Sequence, residues 1–380
     1  MRSLLNTNSI LSKGTDVEID SLSSYIYPAK GKKVNYIFKV LLTNRCSYNC
    51  SYCFSNVKSN CARFIFRPPR LANMFVNLYK KNKVKGIFLS SGIYKTEDYS
   101  QERILETVSF LRKKLNYRGY IHAKVLPRVS LPLIKTLFAY VDRLSINLEF
   151  PAQKYLSKVS NKDFLSGLFS RLKYLSKLNS EYCLSGGITT QFVVGAAGES
   201  DREILSFTEK LYKQLNLRRV YYSGFIPYKG TPLENVPPVD TLRIKRLYEA
   251  DFLIRDYNFS PCDFSYDEVG NLLRDKDVKV GYALKNIHIF PIDINKASFE
   301  DLIKIPTIGK KRANDIIVLR KEAKINSFQK LEKIGISKEA RRWIVISSLT
   351  LEYGIYKILR YGRSTVCNDK TVAFFRGGMA

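Results

Sequence analysis

The chain lacks any long apolar segment. No window of its 380 residues approaches the roughly 18 uninterrupted apolar residues of a membrane-spanning helix, and residues 1–20 lack the apolar run and small-residue cleavage site of an export signal. These absences predict a cytoplasmic protein with no membrane partner. In such a chain the seven cysteines favour metal ligands or buried thiols over a disulfide framework.

Acidic residues are also scarce. The chain has 34 Asp and Glu against 63 Lys and Arg, a formal net charge of +29. An excess of this sign attracts phosphate polymers, so nucleic acid is the leading class of partner. A general lysine bias of the surface would give the same excess, and charge alone does not separate the two explanations.

Short β-rich runs alternate with longer segments of helical period. This alternation predicts parallel strands joined by right-handed crossovers, hence an α/β fold that is either a partial barrel or an open doubly wound sheet. Ligands of both folds gather at the C-terminal ends of the strands. The predicted strands are residues 36–42, 86–90, 119–125, 142–148, 188–194 and 220–226.

The pattern changes near Phe290 to paired short helices around a glycine turn, which predicts a second domain. The predicted organisation is an N-terminal extension (1–35), an α/β core (36–260), a connector (261–289), a helical module (290–349) and a C-terminal tail (350–380).

A cysteine array follows the first predicted strand at once. The segment TNRCSYNCSYC places Cys46, Cys50 and Cys53 in a CxxxCxxC array, with the aromatic Tyr52 before the last cysteine. Three thiolates can hold three irons of a four-iron cube and leave the fourth iron open for a ligand. The nearby polar residues Asn44, Ser47 and Asn49 are candidate hydrogen-bond donors to the sulfurs.

A different metal site is the alternative. Structural zinc sites need four ligands, and Cys61, eight positions beyond Cys53, is the one nearby candidate for a fourth. A structural cluster or zinc site with Cys61 as its fourth ligand therefore remains an alternative interpretation. Cys183, Cys262 and Cys367 are isolated and are interpreted as buried or free thiols.

The array resembles the motif of the radical S-adenosylmethionine superfamily, CxxxCxΦC with Φ an aromatic, after the first strand of a partial barrel. The resemblance implies a partial (βα)6 barrel and two cofactors, a [4Fe-4S] cluster and S-adenosylmethionine. It also implies reductive cleavage of S-adenosylmethionine to a 5′-deoxyadenosyl radical, and an electron donor such as flavodoxin or ferredoxin. The protein would bind, orient and shield these groups.

The resemblance implies further cofactor contacts where the second strand ends. Ser90, Ser91 and Gly92 stand where the superfamily has Gly-Gly-Glu, so the acidic residue is missing and a backbone role is expected. An ordinary glycine turn is the alternative.

Lys124, after the third strand, could meet the cofactor carboxylate or a substrate phosphate, or could be a solvated lysine. After the fourth strand, Asn147 and Glu149 share one face and are candidates for the ribose and amino group of the cofactor. A carboxylate in an apolar strand is costly to bury without a partner, which favours function.

The fifth strand leads into TTQFVVGAAGESDRE, which resembles the GxIxGxxE segment that cradles adenine. Gln191 and Gly195 are the candidates there. Glu199 is shifted by one position from the superfamily acid, and it could instead belong to a cap of the next helix, with Ser200 or Asp201 as the N-cap.

The C-terminal segment FEDLIKIPTIGKKRA looks like a helix-hairpin-helix motif, in which backbone N–H groups at a helix N-terminus contact a DNA phosphate without reading sequence. Thr307 replaces the first glycine of that motif. A looser second copy, with Gly335 and Lys338, lies in SFQKLEKIGISKEARRW. A packing hairpin is the alternative. The candidate nucleic-acid contacts are Ile308, Gly309, Lys310, Lys311, Arg312, Arg341 and Arg342.

The order of these motifs resembles a family of DNA modification or repair radical S-adenosylmethionine proteins with a C-terminal helix-hairpin-helix. The resemblance spans about residues 36–345 and implies nucleic acid as partner, DNA rather than RNA. Two alternatives remain. One is a non-catalytic nucleic-acid-binding protein with a structural Fe-S or Zn site. The other is a radical enzyme that acts on a protein or small molecule.

Overall fold

The computed structural model describes residues 26–29 and 35–346. Most of the predicted extension, the predicted tail and Cys367 lie outside these residues. The chain divides into two compact units, Met1–Asp251 and Phe252–Ala380. No helix in the described ranges is both long and apolar enough to cross a membrane.

The first unit is built on one curled seven-stranded sheet. β1 pairs antiparallel with β2, and β2 to β7 follow one another in parallel, in chain order. This confirms the predicted α/β fold with a partial barrel of six parallel strands. The strands are β1 Ile26–Ala29, β2 Asn35–Leu41, β3 Gly86–Ser90, β4 Tyr120–Lys124, β5 Arg143–Ser145, β6 Gly187–Val194 and β7 Arg219–Gly224.

Helices connect the parallel strands and cover their outer face. Each buries an apolar stripe, as α1 does with Leu71, Phe75 and Leu78. A π-helix, Phe164–Phe169, runs directly into α5. The α-helices are α1 Pro68–Lys80, α2 Glu97–Lys113, α3 Leu131–Leu137, α4 Gln153–Val159, α5 Ser170–Tyr182, α6 Asp201–Leu215 and α7 Thr241–Tyr257, the last of which crosses into the second unit.

The strands alternate between the helix layer and the inside of the curl. Phe38, Ile87 and Leu89 are fully buried against the helices, whereas Lys39 and Phe88 line the interior cavity. Because the strands are parallel and in register, their C-terminal ends form one rim. The loops after the strands therefore meet at one end of the sheet.

The second unit is small and mostly helical. Its α-helices are α8 Val278–Lys285, α9 Phe299–Leu302, α10 Lys310–Glu322 and α11 Phe328–Lys333, and its 3₁₀ helices are Pro261–Asp263, Ile287–Ile289 and Lys338–Trp343. The short strands β8 Ile292–Asp293 and β9 Ile344–Val345 pair in parallel.

The segment predicted as a connector, residues 261–289, is part of this unit's packing. The ring of Tyr282 in α8 lies 4.9 Å from that of Phe259 and 6.5 Å from that of Phe290, and Phe290 lies 5.4 Å from Trp343. These edge-to-face contacts join the segment to the helical module.

Candidate functional site

The cysteine array lies in an irregular loop that follows β2. The guanidinium of Arg63 holds this loop by donating to several of its carbonyl oxygens, at 2.5 to 3.0 Å. The acceptors belong to Asn44, Ser55, Asn56 and Ser59. One half-buried cation thus replaces the regular hydrogen bonds that an irregular loop lacks.

The three thiols converge on one cavity inside the curled sheet. Cys46, Cys50 and Cys53 all line it, and Cys61 is not among the lining residues. In the described part of the chain, no three His, Cys, Asp or Glu side chains gather closely enough to hold a single metal ion. A four-iron cube does not need such a gathering, because each thiolate binds a different iron. The three cysteine thiols therefore fit the ligand set of a four-iron cluster.

Two groups lie against the sulfurs of this array. The backbone N–H of Ile93 donates to Cys46 Sγ at 3.4 Å, and Ser160 Oγ lies 3.2 Å from Cys50 Sγ. Hydrogen bonds to the sulfurs tune the potential of an iron-sulfur cluster. Asn44, suggested from sequence for this role, instead donates to the Ala62 carbonyl at 2.7 Å and lies 3.9 Å from Cys61 Sγ.

Gly92 brings the end of β3 against the cysteine loop. Its N–H donates to the Thr43 carbonyl at 2.8 Å, and a Cβ at this position would lie 2.3 Å from the carbonyl oxygen of Arg45. Only glycine permits this approach. Gly92, Ser90 and Ser91 all line the cavity beside the thiols.

Glu149 is the single carboxylate in the lining of this cavity. It accepts a hydrogen bond from Lys162 Nζ at 3.1 Å, and Asn147 Nδ2 approaches it at 3.5 Å. Lys162 also donates to the hydroxyl of Tyr52 at 3.2 Å. These contacts link the cysteine loop, through Tyr52, to the end of the fourth parallel strand.

The charges in this group influence one another strongly. Burial raises the pKa of Glu149, but Lys162 and Lys124 outweigh it, so the pKa is lowered overall. Burial lowers the pKa of Lys162, but Cys50, Glu149 and Tyr52 raise it well above its usual value. A carboxylate and an ammonium group therefore face each other inside the cavity at neutral pH.

The two candidates from the fifth predicted strand, Gln191 and Gly195, do not both lie at the cavity. Gln191 lines the cavity, whereas Gly195 does not. Gly195 has φ of +89°, and its N–H donates to the Glu199 carboxylate, which also accepts from the Ala197 N–H at 3.1 Å. Glu199 thus braces this loop, and Ser200 is the N-cap of α6. Lys124, from β4, lines the cavity.

Sequence reasoning missed several polar side chains in and beside this cavity, among them Lys39 and Lys162 in its lining and Ser160 against Cys50. Lys162 and Ser160 lie in the loop after α4, where no periodicity marks them. Lys39 did leave a signal, since it interrupts the apolar run of β2 at an inward-facing position. The empty space of the cavity, including the part open to solvent, is about 1120 Å3. This is sufficient for a drug-sized ligand.

The second unit contains two similar hairpins. Thr307, with φ of +71°, precedes the buried Ile308, and Gly335, with φ of +79°, precedes the buried Ile336. Arg312 joins the hairpins by donating to the Gly335 carbonyl at 3.0 Å. Each copy thus has one left-handed residue before a buried isoleucine, although the Ile308 N–H donates to the Ile305 carbonyl and the Ile336 N–H to the Leu331 carbonyl.

The candidate nucleic-acid contacts have different environments. Lys310, Lys311 and Arg341 are exposed, whereas Arg312 and Arg342 are half-buried and Ile308 is buried. Gly309 is the N-cap of α10 and makes no side-chain capping bond. The exposed cations are the ones available to a phosphate.

The N-terminus of α10 has a partner that the sequence did not indicate. The N–H of Lys310 donates to the hydroxyl of Tyr257 at 3.2 Å, and the ammonium groups of Lys279 and Lys310 lie 5.2 and 5.5 Å from the Tyr257 ring centroid. One of the amide groups at this helix end is therefore already occupied.

Comparison with known proteins gives two family matches. Residues 40–211 match the radical SAM superfamily, and residues 289–340 match the helix-hairpin-helix motif.

Two curated relatives are each 24% identical to this chain. One is an uncharacterized protein of Methanocaldococcus jannaschii, which aligns over 56% of the chain and 54% of the relative. The other is the biotin synthase of Persephonella marina, which aligns over 54% of the chain and 59% of the relative. The chain thus spans little more than half the length of either relative.

Solved structures with similarity include methylornithine synthase, with 12% identity and a TM-score of 0.47 over 66% of this chain and 76% of that chain. The hydrogenase maturase HydG from Carboxydothermus hydrogenoformans has 15% identity and a TM-score of 0.46 over 58% of this chain and 51% of that chain.

The superfamily that matches is one of enzymes, which removes the alternative of a non-catalytic binding protein. Residues 40–211 are a radical SAM domain, the domain of enzymes whose cofactors are a [4Fe-4S] cluster and S-adenosylmethionine, and a helix-hairpin-helix motif follows at residues 289–340.

Proposed function

We propose that this chain modifies or repairs DNA by radical chemistry, with Cys46, Cys50 and Cys53 as the ligands of its cluster. One observation carries the proposal: the three thiols and most of the expected cofactor residues line a single cavity at the C-terminal ends of the parallel strands. Those residues are Ser90, Ser91, Gly92, Asn147, Glu149 and Gln191, and Lys124, expected to meet either the cofactor carboxylate or a substrate phosphate, lines the same cavity.

Each part of the cavity has a role in this proposal. When bound, the cluster and S-adenosylmethionine supply an electron and a 5′-deoxyadenosyl radical that removes a hydrogen atom from the substrate. Glu149 accepts hydrogen bonds from the amino group of S-adenosylmethionine, in place of the acid that the Ser90–Gly92 turn lacks. The electron comes from a donor protein such as flavodoxin or ferredoxin.

DNA is the proposed substrate because of the second unit. The exposed Lys310, Lys311 and Arg341 belong to two hairpins, each of which has a left-handed residue before a buried isoleucine. Backbone N–H groups and cations of this kind contact phosphate without reading sequence. The chain's charge of +29 has the sign that attracts such a polymer.

The test is DNA dependence of S-adenosylmethionine cleavage. Full-length protein is reconstituted with iron and sulfide and reduced, and 5′-deoxyadenosine is measured with duplex DNA, single-stranded DNA, RNA or no polymer. We expect DNA to stimulate its formation, and deuterium from labelled DNA to enter the product.

Variants that reverse the charge of lysines at the two ends of α10 give a matched comparison. Lys310→Glu with Lys311→Glu should abolish the stimulation, whereas Lys324→Glu, beyond the other end of α10, should preserve it. Cleavage that depends on the cysteines but not on any polymer would overturn the DNA proposal in favour of a protein or small-molecule substrate.

A further inference from the structure

Two lysines from different strands point into the cavity. Lys39 of β2 and Lys124 of β4 both line it. Within residues 26–29 and 35–346, neither ammonium group has a hydrogen bond or a salt bridge. Lys162 differs, because it is paired with Glu149 at 3.1 Å. Two cations therefore stand free in a site where a third has a partner.

Leaving these cations unpaired is costly. A buried ammonium group loses hydration, and two such groups repel each other. Burial and the charge of Lys124 lower the pKa of Lys39. Burial is also the main cause that lowers the pKa of Lys124. Such an arrangement destabilises the fold unless an anion neutralises it, which favours a binding role.

Aromatic rings stabilise Lys39 without using its donors. Its Nζ lies 5.5 Å from the ring centroid of Tyr27 and 5.4 Å from that of Phe88. A cation–π contact favours the charged form but leaves the three N–H groups available. The rings thus contact Lys39 without using its hydrogen-bond donors.

Lys39 lies deeper in the sheet than the residues expected to hold S-adenosylmethionine. It is in register with Phe88, whereas Leu41 is in register with Ser90 at the rim. Two residues of strand correspond to about 7 Å. An anion at Lys39 is therefore below the level of the Ser90–Gly92 turn and the cysteine loop.

The only acid in the lining does not neutralise this pair. Glu149 lies close enough to Lys124 for their charges to interact, but its hydrogen bond goes to Lys162. The lining holds three lysines against one glutamate. The excess positive charge fits a ligand with at least one negative group.

We propose that Lys39 and Lys124, the first lying two residues deeper in the sheet than the second, form an anion subsite inside the cavity that binds a phosphate group of the substrate nucleotide. The choice of phosphate rests on the proposed DNA substrate, whereas the subsite itself rests on the two free ammonium groups. Phosphate offers several charged oxygens to the two lysines at once.

The test compares thymidine 5′-monophosphate with thymidine. Binding to the reconstituted full-length protein is measured by calorimetry for the wild type, Lys39→Met, Lys124→Met and the exposed-lysine control Lys81→Met. Loss of a charge-assisted contact should weaken binding of the monophosphate about tenfold or more in the two cavity variants. Thymidine binding should not change in any variant, and Lys39→Arg should retain most of the monophosphate affinity.

A second measurement distinguishes loss of the subsite from misfolding of the variant. In phosphate-free buffer Lys39→Met should melt at or above the wild-type temperature, because it removes a repelled charge. Inorganic phosphate should raise the melting temperature of the wild type and not of the variant. Melting of Lys39→Met below the wild type in phosphate-free buffer would contradict the inference.

Other outcomes identify the source of a failure. Equal monophosphate binding in all variants would overturn the subsite. Weaker binding of S-adenosylhomocysteine to Lys39→Met, with monophosphate binding unchanged, would assign the lysines to the cofactor carboxylate and also overturn it. If the monophosphate binds as expected but DNA does not stimulate cleavage, the subsite stands and the DNA proposal fails.

Discussion

Glu149 has a backbone conformation that non-glycine residues seldom adopt. Its φ is +67°, and a side chain there costs of order 1–3 kcal/mol. The neighbouring strand holds it, because its N–H donates to the Gln191 carbonyl at 3.0 Å and its carbonyl accepts from the Val193 N–H at 2.7 Å. Strain retained beside a cavity, on the cavity's only lining carboxylate, suggests a functional role.

Replacing Glu149 with glutamine should weaken S-adenosylmethionine binding. The variant keeps the size of the side chain but loses the charge, and a lost charge-assisted hydrogen bond should reduce affinity about tenfold or more. Equilibrium dialysis of the reconstituted protein measures this. Glu102→Gln, on the exposed surface of α2, is the control. Unchanged affinity in Glu149→Gln would contradict the role given to this carboxylate.

Among the elements, the parallel strands were predictable and the loops were not. The strand at residues 86–90 is buried at every position except Phe88, and its short apolar run was therefore visible in the sequence. β1 was not predicted from the sequence, because it is only four residues long and contains Pro28. Lys162 reaches Glu149 from the loop after α4, and such a contact has no sequence period.

Removing the charge of Glu203 should weaken the start of α6, mainly above acidic pH. Glu203 and Ser200 form a capping box, and Tyr155 Oη donates to the Glu203 carboxylate at 2.5 Å. Burial raises the pKa of Glu203, but hydrogen bonds from Lys154, Tyr155 and Ser200 outweigh it and lower the pKa to about 2. Glu203→Gln should cost about 1 kcal/mol at neutral pH.

The pH dependence follows from the lowered pKa. Stability from this carboxylate is complete above the unfolded pKa of about 4.3 and is lost as pH falls toward the folded value. The melting temperatures of wild type and Glu203→Gln should therefore differ at pH 7 and converge as pH falls from about 4 toward 2. Glu209→Gln, on the same helix, is the control. A difference that persists at the acid end would contradict this explanation.

Replacing Thr307 with glycine should stabilise the first hairpin. The φ of +71° at Thr307 is unfavourable for a β-branched residue. Thr307→Gly removes a left-handed backbone cost of about 1–2 kcal/mol but adds the entropy cost of glycine. The free energy of unfolding should therefore rise by up to about 1 kcal/mol. Differential scanning calorimetry measures this. Thr307→Ala keeps the strain and should show no gain, and a lower melting temperature for Thr307→Gly would refute the strain argument.

At the scale of the whole molecule, the sequence indicated a catalytic part and a polymer-binding part. The cysteine array and the IPTIGKKR turn could be identified because each needs fixed residue types at fixed spacing. The division between units was less visible: the first compact unit ends at Asp251, within α7, whereas the loss of helical periodicity predicted the end of the core at residue 260. A continuous helix leaves no break in the pattern where one compact unit gives way to the next.

The central claim is that Cys46, Cys50 and Cys53 hold a cluster whose open iron binds S-adenosylmethionine. The most direct test is the electron paramagnetic resonance spectrum of the anaerobically reconstituted, reduced protein, with and without S-adenosylmethionine. We predict a four-iron signal that changes on addition of S-adenosylmethionine, is lost in Cys50→Ala and persists in Cys61→Ala. A spectrum that does not respond to S-adenosylmethionine, or one that is lost in Cys61→Ala, would contradict the claim.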